Sequence, residues 1–121
     1  MVHSDGVHLL LDGATATPLP AARVKRFLFH FPRLIGVRRI TEPVVVTQNG
    51  GVCGIVVIAA SHISVHTQGI RVWVDCFSCL GFNEEATESG IERLLGLVHW
   101  QTKLIPRPMP AAASWTAAGA F

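Results

Sequence analysis

The residues best suited to chemistry lie together at positions 61–67, where the chain reads Ser-His-Ile-Ser-Val-His-Thr. We call this segment the Ser/His stretch. It follows the most apolar run of the chain, residues 52–60. Hydroxyl and imidazole groups at the mouth of a buried strand are costly to place there unless they have partners or a purpose. The same groups can act as nucleophiles and as general acids or bases.

The spacing within the Ser/His stretch argues against two familiar kinds of site. His62 and His66 would form a metal-binding pair on a helix, but apolar and polar residues alternate here, which indicates a strand. On a strand the two histidines lie about 13 Å apart. A hydrolase dyad is conceivable from Ser61 or Ser64, but the glycine-flanked elbow of such serines is absent. The local pattern alone therefore favours a polar strand end whose side chains find hydrogen-bond partners.

The cysteines do not suggest a metal or a disulfide framework. Their number, three, is odd, which argues for a reducing compartment. Cys76 and Cys79 form a C-x-x-C pair, a spacing found in redox and zinc sites. They end an alternating run, where an offset of three directs the two thiols to opposite faces of a strand. No second cysteine pair completes a metal site, so the sequence predicts none.

The composition of the chain sets its class. With 121 residues, 50% hydrophobic and 15% charged, it is expected to fold as a single domain spanning residues 1–121. The core is expected within residues 7–105, and residues 106–121 are expected to form an extended or mobile tail. No apolar run is long enough to span a membrane, and no basic-then-apolar leader opens the chain. We therefore expect a soluble cytoplasmic protein with no membrane partner.

The net charge of +2 is too small to indicate nucleic acid binding. The basic residues are dispersed apart from a small cluster at Arg23, Lys25 and Arg26, and no stacking aromatics alternate with them. They are interpreted as a solvated helix face and as strand ends. The low charged fraction leaves apolar surface to cover, which favours a homo-oligomer.

Short turns bracket the strands on both sides of the Ser/His stretch. Residues 48–51, Gln-Asn-Gly-Gly, predict a hairpin turn because Asn-Gly and Gly-Gly tolerate positive φ. The second arm of that hairpin is 52–60, where Gly54 marks a bend or a close backbone approach. A Gln-Gly turn follows the stretch, and residues 70–79 continue as a strand that can return beside it.

The remaining predicted elements are two helices and three further strands. Apolar residues at helical spacing between positions 21 and 31 predict the first helix, which Pro32 ends. Asn83 is a favourable N-cap for the second helix and is followed by two glutamates at the positive end of the helix dipole. Strands are predicted at residues 7–12, at 36–47 with an interruption at Pro43, and at 99–105.

The order of these elements is strand, helix, three strands joined by short turns, helix, strand. Because hairpins dominate, the sheet is expected to be mainly antiparallel, with both helices covering one face. The predicted fold is therefore an α+β two-layer sandwich. The uncovered face of its sheet must meet water or another copy of the chain.

Two segments of the sequence together resemble one family. The Ser/His stretch, followed by Val-Asp-Cys-Phe-Ser-Cys at residues 74–79, is similar to the processing and active-site region of the prokaryotic S-adenosylmethionine decarboxylase proenzymes. That family carries Ser-His-(Leu/Ile)-(Ser/Thr)-Ile-His-Thr and then Val-Asp-Val-(Phe/Tyr)-Thr-Cys-Gly. The resemblance covers residues 7–105 and is most specific between residues 54 and 79. It implies a small α+β sandwich that dimerises.

The resemblance implies a pyruvoyl-dependent carboxy-lyase made as a zymogen that cleaves itself. Ser61 would attack the carbonyl of Ala60 and convert the peptide bond into an ester. A β-elimination assisted by His66 would then split the chain between Ala60 and Ser61 and leave Ser61 as an N-terminal pyruvoyl group. That group would form a Schiff base with the substrate amine and accept the electrons released with CO2. Cys79 would return a proton to the substrate's α-carbon.

The implied activity is S-adenosylmethionine decarboxylase, which serves the biosynthesis of spermidine and other polyamines. The resemblance also implies a homodimer of processed αβ protomers that acts on a small-molecule substrate. By strand alternation Arg71 shares a face with Cys79, which makes it a candidate for binding a substrate carboxylate. The pattern favours the alternative, in which Arg71 is an exposed strand end.

The sequence departs from the family pattern in three places. Ala60 stands where the family has Glu before the processed serine, and Cys53 stands where it has a serine that helps self-processing. The family's Trp-Pro-Glu-x-Gly segment, which helps to shape the nucleoside pocket, is replaced by the shorter Gln-Gly-Ile at residues 68–70. Two alternatives follow: the same chemistry on a smaller amino acid such as arginine or ornithine, or an unprocessed, non-catalytic homologue. His62 and Ser64 receive no role.

Overall fold

The described residues, 6–79 and 81–107 of a computed structural model, form one antiparallel sheet of six strands with two helices packed on one face. The elements in chain order are β1 (Val7–Thr15), α1 (Ala21–Leu34), β2 (Val44–Gln48), β3 (Gly51–Ile58), β4 (Ser61–Gln68), β5 (Arg71–Ser78), α2 (Glu84–Leu95) and β6 (Leu97–Pro106). The strand order across the sheet is β2-β3-β4-β5-β1-β6, and each neighbouring pair is antiparallel. The prediction of an α+β two-layer sandwich is confirmed.

The side of the sheet that faces the helices forms the core. Alternate residues of each strand point toward the helices, as the two-residue period of a strand dictates. The helices contribute Val24, Phe27, Leu28, Phe31, Ile91 and Leu95. The sheet contributes Leu9, Leu11, Val56, Ile63, Val65 and Val74, each of them buried. Apolar burial between these two layers is the main stabilising contribution to the fold.

The other side of the sheet, which we call the open face, has no helix packed on it among the described residues. Its positions on β3, β4 and β5 include Cys53, Ile55, Val57, His62, Ser64, His66, Trp73, Asp75 and Phe77. Apolar side chains are accessible there, with Ile55 at 43% and Val57 at 42% exposure. Polar and apolar residues alternate along the Ser/His stretch as predicted, and both of its histidines lie on the open face.

Two local predictions from the sequence are confirmed. Gly54 in β3 marks a close approach, because a Cβ atom there would lie 2.7 Å from Cδ1 of Leu28 in α1. Asn83 caps α2, since its side-chain oxygen accepts a hydrogen bond from the backbone N–H of Ala86 at 2.9 Å. The first feature sets the distance between α1 and the sheet, and the second sets where α2 begins.

The prediction that Pro32 ends the first helix is wrong, because α1 continues to Leu34. A proline lacks the backbone N–H donor, but in the last turn this removes only one helical hydrogen bond. Bonds beyond the proline hold the end of the helix: the N–H of Ile35 donates to Phe31 at 3.2 Å, and the N–H of Val37 donates to Pro32 at 2.9 Å.

Two further segments differ from prediction. One is residues 36–47, and the other is the Ser/His stretch. Within residues 36–47 regular pairing begins only at Val44, directly after Pro43, which cannot donate to a neighbouring strand. An isolated bridge joins Arg39 to Ile58 earlier in the segment. The Ser/His stretch is a complete strand, β4, paired along its length with β3 and β5 rather than a strand end. Four strands therefore lie between the helices in the described chain, where the sequence predicted three.

The last strand, β6, begins at Leu97 and ends at Pro106, so it is slightly longer than predicted. Arg107 follows it, and its backbone N–H donates to the carbonyl of Gly6 at 2.9 Å. Residues 108–121, most of the predicted tail, lie outside the described residues. Neither helix in the described part of the chain is long and apolar enough to cross a membrane.

Candidate active site

The peptide before Ser61 lies in a tight turn. β3 ends at Ile58 and β4 begins at Ser61, so only Ala59 and Ala60 join the two strands. Ala60 has a φ of 65°, in the left-handed region that residues other than glycine seldom adopt. Ala59 is held by its backbone N–H, which donates to the carbonyl of Arg38 at 2.8 Å. The peptide predicted to be cleaved therefore follows a residue whose backbone conformation is unfavourable.

The Ser61 hydroxyl lies between two backbone groups. Its Oγ accepts a hydrogen bond from the backbone N–H of Cys79 at 2.9 Å. It also donates to the carbonyl oxygen of Ala60, the residue directly before it. An oxygen nucleophile thus touches the carbonyl group that it would attack, and an N–H donor can stabilise charge developing on that nucleophile. This arrangement suits an acyl shift from the Ser61 nitrogen to its own oxygen.

The two cysteines at the end of β5 have different environments. Cys79 is exposed and lies beside Ser61 through the hydrogen bond just described. Cys76 is fully buried in the core, and burial together with the nearby charge of Asp75 raises its pKa to about 12. Within the described residues, neither thiol joins a group of three or more potential metal ligands. Cys76 points into the core, and Cys79, which follows the end of β5, is the accessible thiol of the pair.

His66 does not approach Ser61 within one chain. β4 pairs regularly with β3 and β5 from Ser61 to Gln68, so the strand does not bend. Five residues of extended strand place the two Cα atoms about 17 Å apart, and an odd offset directs their side chains to opposite faces. The return of His66 to Ser61 that processing within one chain would require is therefore absent from this protomer.

His66 belongs to a second group of side chains on the open face. It lies opposite Cys53 on β3, and its ring centroid is 5.5 Å from that of Trp73 on β5. Cys53 is exposed and lines a cleft of about 300 Å³ together with His66. The structure thus forms two pairs, Ser61 with Cys79 and Cys53 with His66, and holds them apart on the same sheet.

A third group, which the sequence did not single out, lies between these two pairs. His8 Nε2 is 3.0 Å from Asp75 Oδ1. The rings of His8 and His62 lie 5.9 and 6.1 Å from the ring of Phe77, and the Arg107 guanidinium lies 5.5 Å from the same ring. His8 reaches this group because β1 pairs with β5, a contact between distant parts of the chain. The available sequence signal was the alternation of β5, which places Phe77 and Asp75 on one face.

Arg71 lies at the opposite end of β5 from Cys79. Its side chain is exposed, and its guanidinium is 5.9 Å from the ring of Trp73. It lines a cleft of about 430 Å³ with Asp12 and His99. About 26 Å of strand separates Arg71 from Cys79, so Arg71 does not reach the Ser61–Cys79 pair of its own chain. Its position matches the exposed strand end that the sequence favoured.

Comparisons with known proteins give the family. A family model described as S-adenosylmethionine decarboxylase matches residues 8–108. The crystal structure of the adenosylmethionine decarboxylase from Aquifex aeolicus VF5 is similar with a TM-score of 0.70 at 18% identity, over 94% of this chain and 99% of that chain. At that identity the likeness shows a shared fold. A search of curated proteins finds no match. Because the family model spans most of its length, the chain belongs to the S-adenosylmethionine decarboxylase family.

Proposed function

We propose that the chain is a self-processing, pyruvoyl-dependent decarboxylase whose cofactor derives from Ser61. Membership of the family implies decarboxylase activity in general. The observation that carries the finer proposal is the Ser61 hydroxyl, which contacts the Ala60 carbonyl and accepts the Cys79 N–H. These two contacts support the proposal, because they hold the serine from which the pyruvoyl group would be made beside the carbonyl group that it would attack.

Processing would proceed in three covalent stages. Ser61 Oγ attacks the carbonyl carbon of Ala60, the C–N bond breaks as an ester forms, and the hydroxyl proton passes to the freed nitrogen. Loss of the Ser61 α-proton then breaks the Cβ–O bond, releases the Ala60 carboxylate and leaves a dehydroalanine. Its imine tautomer is hydrolysed by water with release of ammonia, which leaves the pyruvoyl group at the new N-terminus.

The base for the elimination would come from a second copy of the chain. His66 is about 17 Å from Ser61 in its own chain, and its side chain points to the open face whereas that of Ser61 starts on the opposite face. Ser61 is the first residue of β4, so a second copy packed against the open face would have to reach its hydroxyl past the strand end, at the turn formed by Ala59 and Ala60. Such packing would also cover the exposed apolar side chains of Val44 and Ile55, at 60% and 43% exposure. We therefore propose a homodimer in which the open faces meet. Cys53 lies opposite His66 and would support this histidine as a weak hydrogen-bonding partner.

In the mature protein the pyruvoyl group supplies the electron sink for loss of CO2. Cys79 would hold the proton that is returned to the substrate's α-carbon, because its thiol is exposed and its backbone lies beside Ser61. The proposed substrate is S-adenosylmethionine, and the proposed role is in spermidine and other polyamine biosynthesis in the cytoplasm. Arg71 is not assigned to the substrate site of its own chain.

Mass spectrometry of the purified protein tests the processing step. We expect two chains, residues 1–60 and 61–121, the second beginning with a pyruvoyl group. Ser61→Ala should remain one intact chain, because the nucleophile is removed, whereas Ser64→Ala, a control on the same strand, should still be cleaved. An intact wild-type chain with unmodified Ser61 would contradict the proposal and favour the non-catalytic homologue.

Release of labelled CO2 then distinguishes the substrates. The processed protein is incubated with carboxyl-labelled S-adenosylmethionine, arginine and ornithine in parallel. We expect S-adenosylmethionine to be turned over fastest. The short segment at residues 68–70 motivates the smaller amino acids, and faster release from arginine or ornithine would replace the proposed substrate while keeping the pyruvoyl chemistry.

A further inference from the structure

A groove in the helical layer brings together positive charges that are distant in the sequence. It lies between α1 and α2, has a volume of about 380 Å³ and is lined by Arg23, Arg26, Phe27, His30, Arg93 and Leu94. We call it the arginine groove. It shares no residue with the Ser61–Cys79 or Cys53–His66 pairs, and it lies on the helical side of the sheet. A dimer formed through the open faces would leave it accessible.

Helical spacing and the packing of α2 on α1 create the arginine groove. Arg23, Arg26 and His30 follow one another by three and four residues, so they lie along one side of α1. Arg93 comes from the last turn of α2. The Nε–H of Arg23 donates to the carbonyl of Leu94 at 3.1 Å, which fixes one wall of the groove. The other N–H groups of Arg23 form no described hydrogen bond and remain available to a ligand.

The arginines of the groove have no carboxylate partner among the described residues. The ion pairs among the described residues are His8–Asp75 and Arg39–Glu42, and neither pair includes a residue of the groove. The sequence of α1 contains no aspartate or glutamate that could neutralise the charge of its arginines. Three guanidinium groups around one cavity repel one another. An oxyanion would relieve this repulsion and accept paired N–H bonds from the planar guanidinium forks.

We propose that the arginine groove binds a small phosphate-bearing anion, with Arg23, Arg26 and Arg93 as its ligands. The cavity can hold a group of the size of pyrophosphate, and its floor is apolar at Phe27 and Leu94. Proteins that bind single-stranded nucleic acids commonly stack the bases on accessible aromatic rings, but the phenyl ring that lines the groove, Phe27, is only 2% exposed. A compact anion therefore fits the groove better than a polymer.

Isothermal titration of the full chain with pyrophosphate at constant ionic strength tests this site. We expect saturable binding and a rise in melting temperature with ligand concentration. Arg26→Gln/Arg93→Gln should weaken binding at least tenfold, because charge-assisted hydrogen bonds are lost. The matched control, Lys25→Gln/Arg33→Gln, removes the same charge from exposed positions outside the groove and should change the affinity less than twofold. If the first double variant does not fold, Arg26→Gln alone should still weaken binding.

Parallel titrations with orthophosphate and ADP identify the source of the phosphate. Tighter binding of ADP than of pyrophosphate indicates a nucleotide, and the reverse order indicates an inorganic anion; both support the site. Equal loss of affinity in the two double variants, or no saturable binding by the wild-type chain, would overturn it. A short RNA that binds through the same arginines more tightly than these three anions would overturn the assignment to a small ligand. None of these measurements needs decarboxylase activity, so they stand independently of the proposed function.

Discussion

The left-handed backbone of Ala60 stores free energy next to the peptide that is proposed to break. Its φ of 65° places Cβ close to the following carbonyl oxygen, at a cost of about 1 to 2 kcal/mol that glycine would not incur. Cleavage would let residue 60 leave this turn conformation. The free energy stored in the precursor would then be released in the product, which favours the forward reaction.

Ala60→Gly is therefore expected to stabilise the uncleaved chain by about 1 kcal/mol and to slow its cleavage. Urea unfolding in the Ser61→Ala background measures the first effect. The second is measured in protein that retains Ser61, as the rate at which the full-length chain disappears. Ala59→Gly is the control, because Ala59 lies in the same turn without a positive φ. Cleavage of Ala60→Gly at the wild-type rate or faster would contradict a role for strain.

Cys76 links the stability of the fold to alkaline pH. Its pKa is raised from 9.0 to about 12, first by burial and then by the charge of Asp75. Between these values the unfolded chain loses the thiol proton while the folded chain keeps it. The free energy of unfolding should therefore fall by up to about 1.4 kcal/mol per pH unit above pH 9, while below pH 9 this thiol contributes no pH dependence.

Urea unfolding at a series of pH values between about 8 and 10.5 measures this decline. Cys76→Ala should be less stable at neutral pH, because it leaves a cavity, but it should lose the part of the slope that the thiol contributes. Cys53→Ala, which removes an exposed thiol, should keep the wild-type slope. An identical slope in the wild type and Cys76→Ala would contradict the assignment.

Proximity of individual residues was only partly predictable. The Gln-Gly turn between β4 and β5 is a local signal, so a position for Cys79 beside Ser61 could be anticipated from the sequence. The separation of His66 from Ser61 depended on whether β4 bends, which no residue pattern within the strand decides. The left-handed conformation of Ala60 also lacked a signal, because alanine is not a residue that normally marks such a position.

At the scale of elements, α1 rests directly on the backbone of β3 at Gly54. A Cβ atom there would lie 2.7 Å from Cδ1 of Leu28 and 3.1 Å from Cγ1 of Val24. Both of these side chains are fully buried, so they have little room to move. The absence of a side chain at Gly54 is therefore what allows the helix to pack at this distance.

Gly54→Val is expected to lower the free energy of unfolding by about 1 to 3 kcal/mol, because the new side chain overpacks the space between α1 and β3. Urea unfolding of the Ser61→Ala background gives the value without interference from cleavage. The control is Cys53→Val, one position away but directed to the open face, which should change stability by less than about 1 kcal/mol. Wild-type stability of Gly54→Val would mean that α1 is not fixed against the sheet.

Elements specified by neighbouring residues were predictable, and those specified by distant contacts were not. The hairpin turn at residues 48–51 and the N-cap at Asn83 depend on a few adjacent side chains, and both are present. The place of β1 between β5 and β6 depends on contacts that close long loops, for which a local pattern carries no information. The groups that β1 adds to the open face, including His8, were missed for that reason.

At the scale of the whole molecule, the separation of His66 from Ser61 predicts that two chains share each processing site. Co-expression of a Ser61→Ala chain with a His66→Ala chain tests this sharing. In a mixed dimer the His66→Ala chain keeps its own Ser61 and receives the imidazole of the other copy. We therefore expect it to be cleaved in the mixture but not when expressed alone.

Mass spectrometry of the mixture and of each variant alone identifies which chain has been cut. A control mixture of Ser61→Ala with Ser61→Ala/His66→Ala should remain uncut, because it contains no nucleophile. Efficient cleavage of His66→Ala by itself would show that this histidine is not the base. Failure to cleave in the mixture, with mixed dimers demonstrated, would show that the two copies do not share the site.

The topology of the sheet determines what a cut between Ala60 and Ser61 would produce. β1, from the first piece, lies between β5 and β6 of the second, and β3 stays paired with β4 across the break. The mature protomer would be a natural split protein, whose pieces are interleaved and held by hydrogen bonds and core packing. The precursor can form its sheet from one continuous chain, whereas the mature form would refold only when two separate chains meet. Processing would therefore turn formation of each sheet into a step whose rate depends on protein concentration.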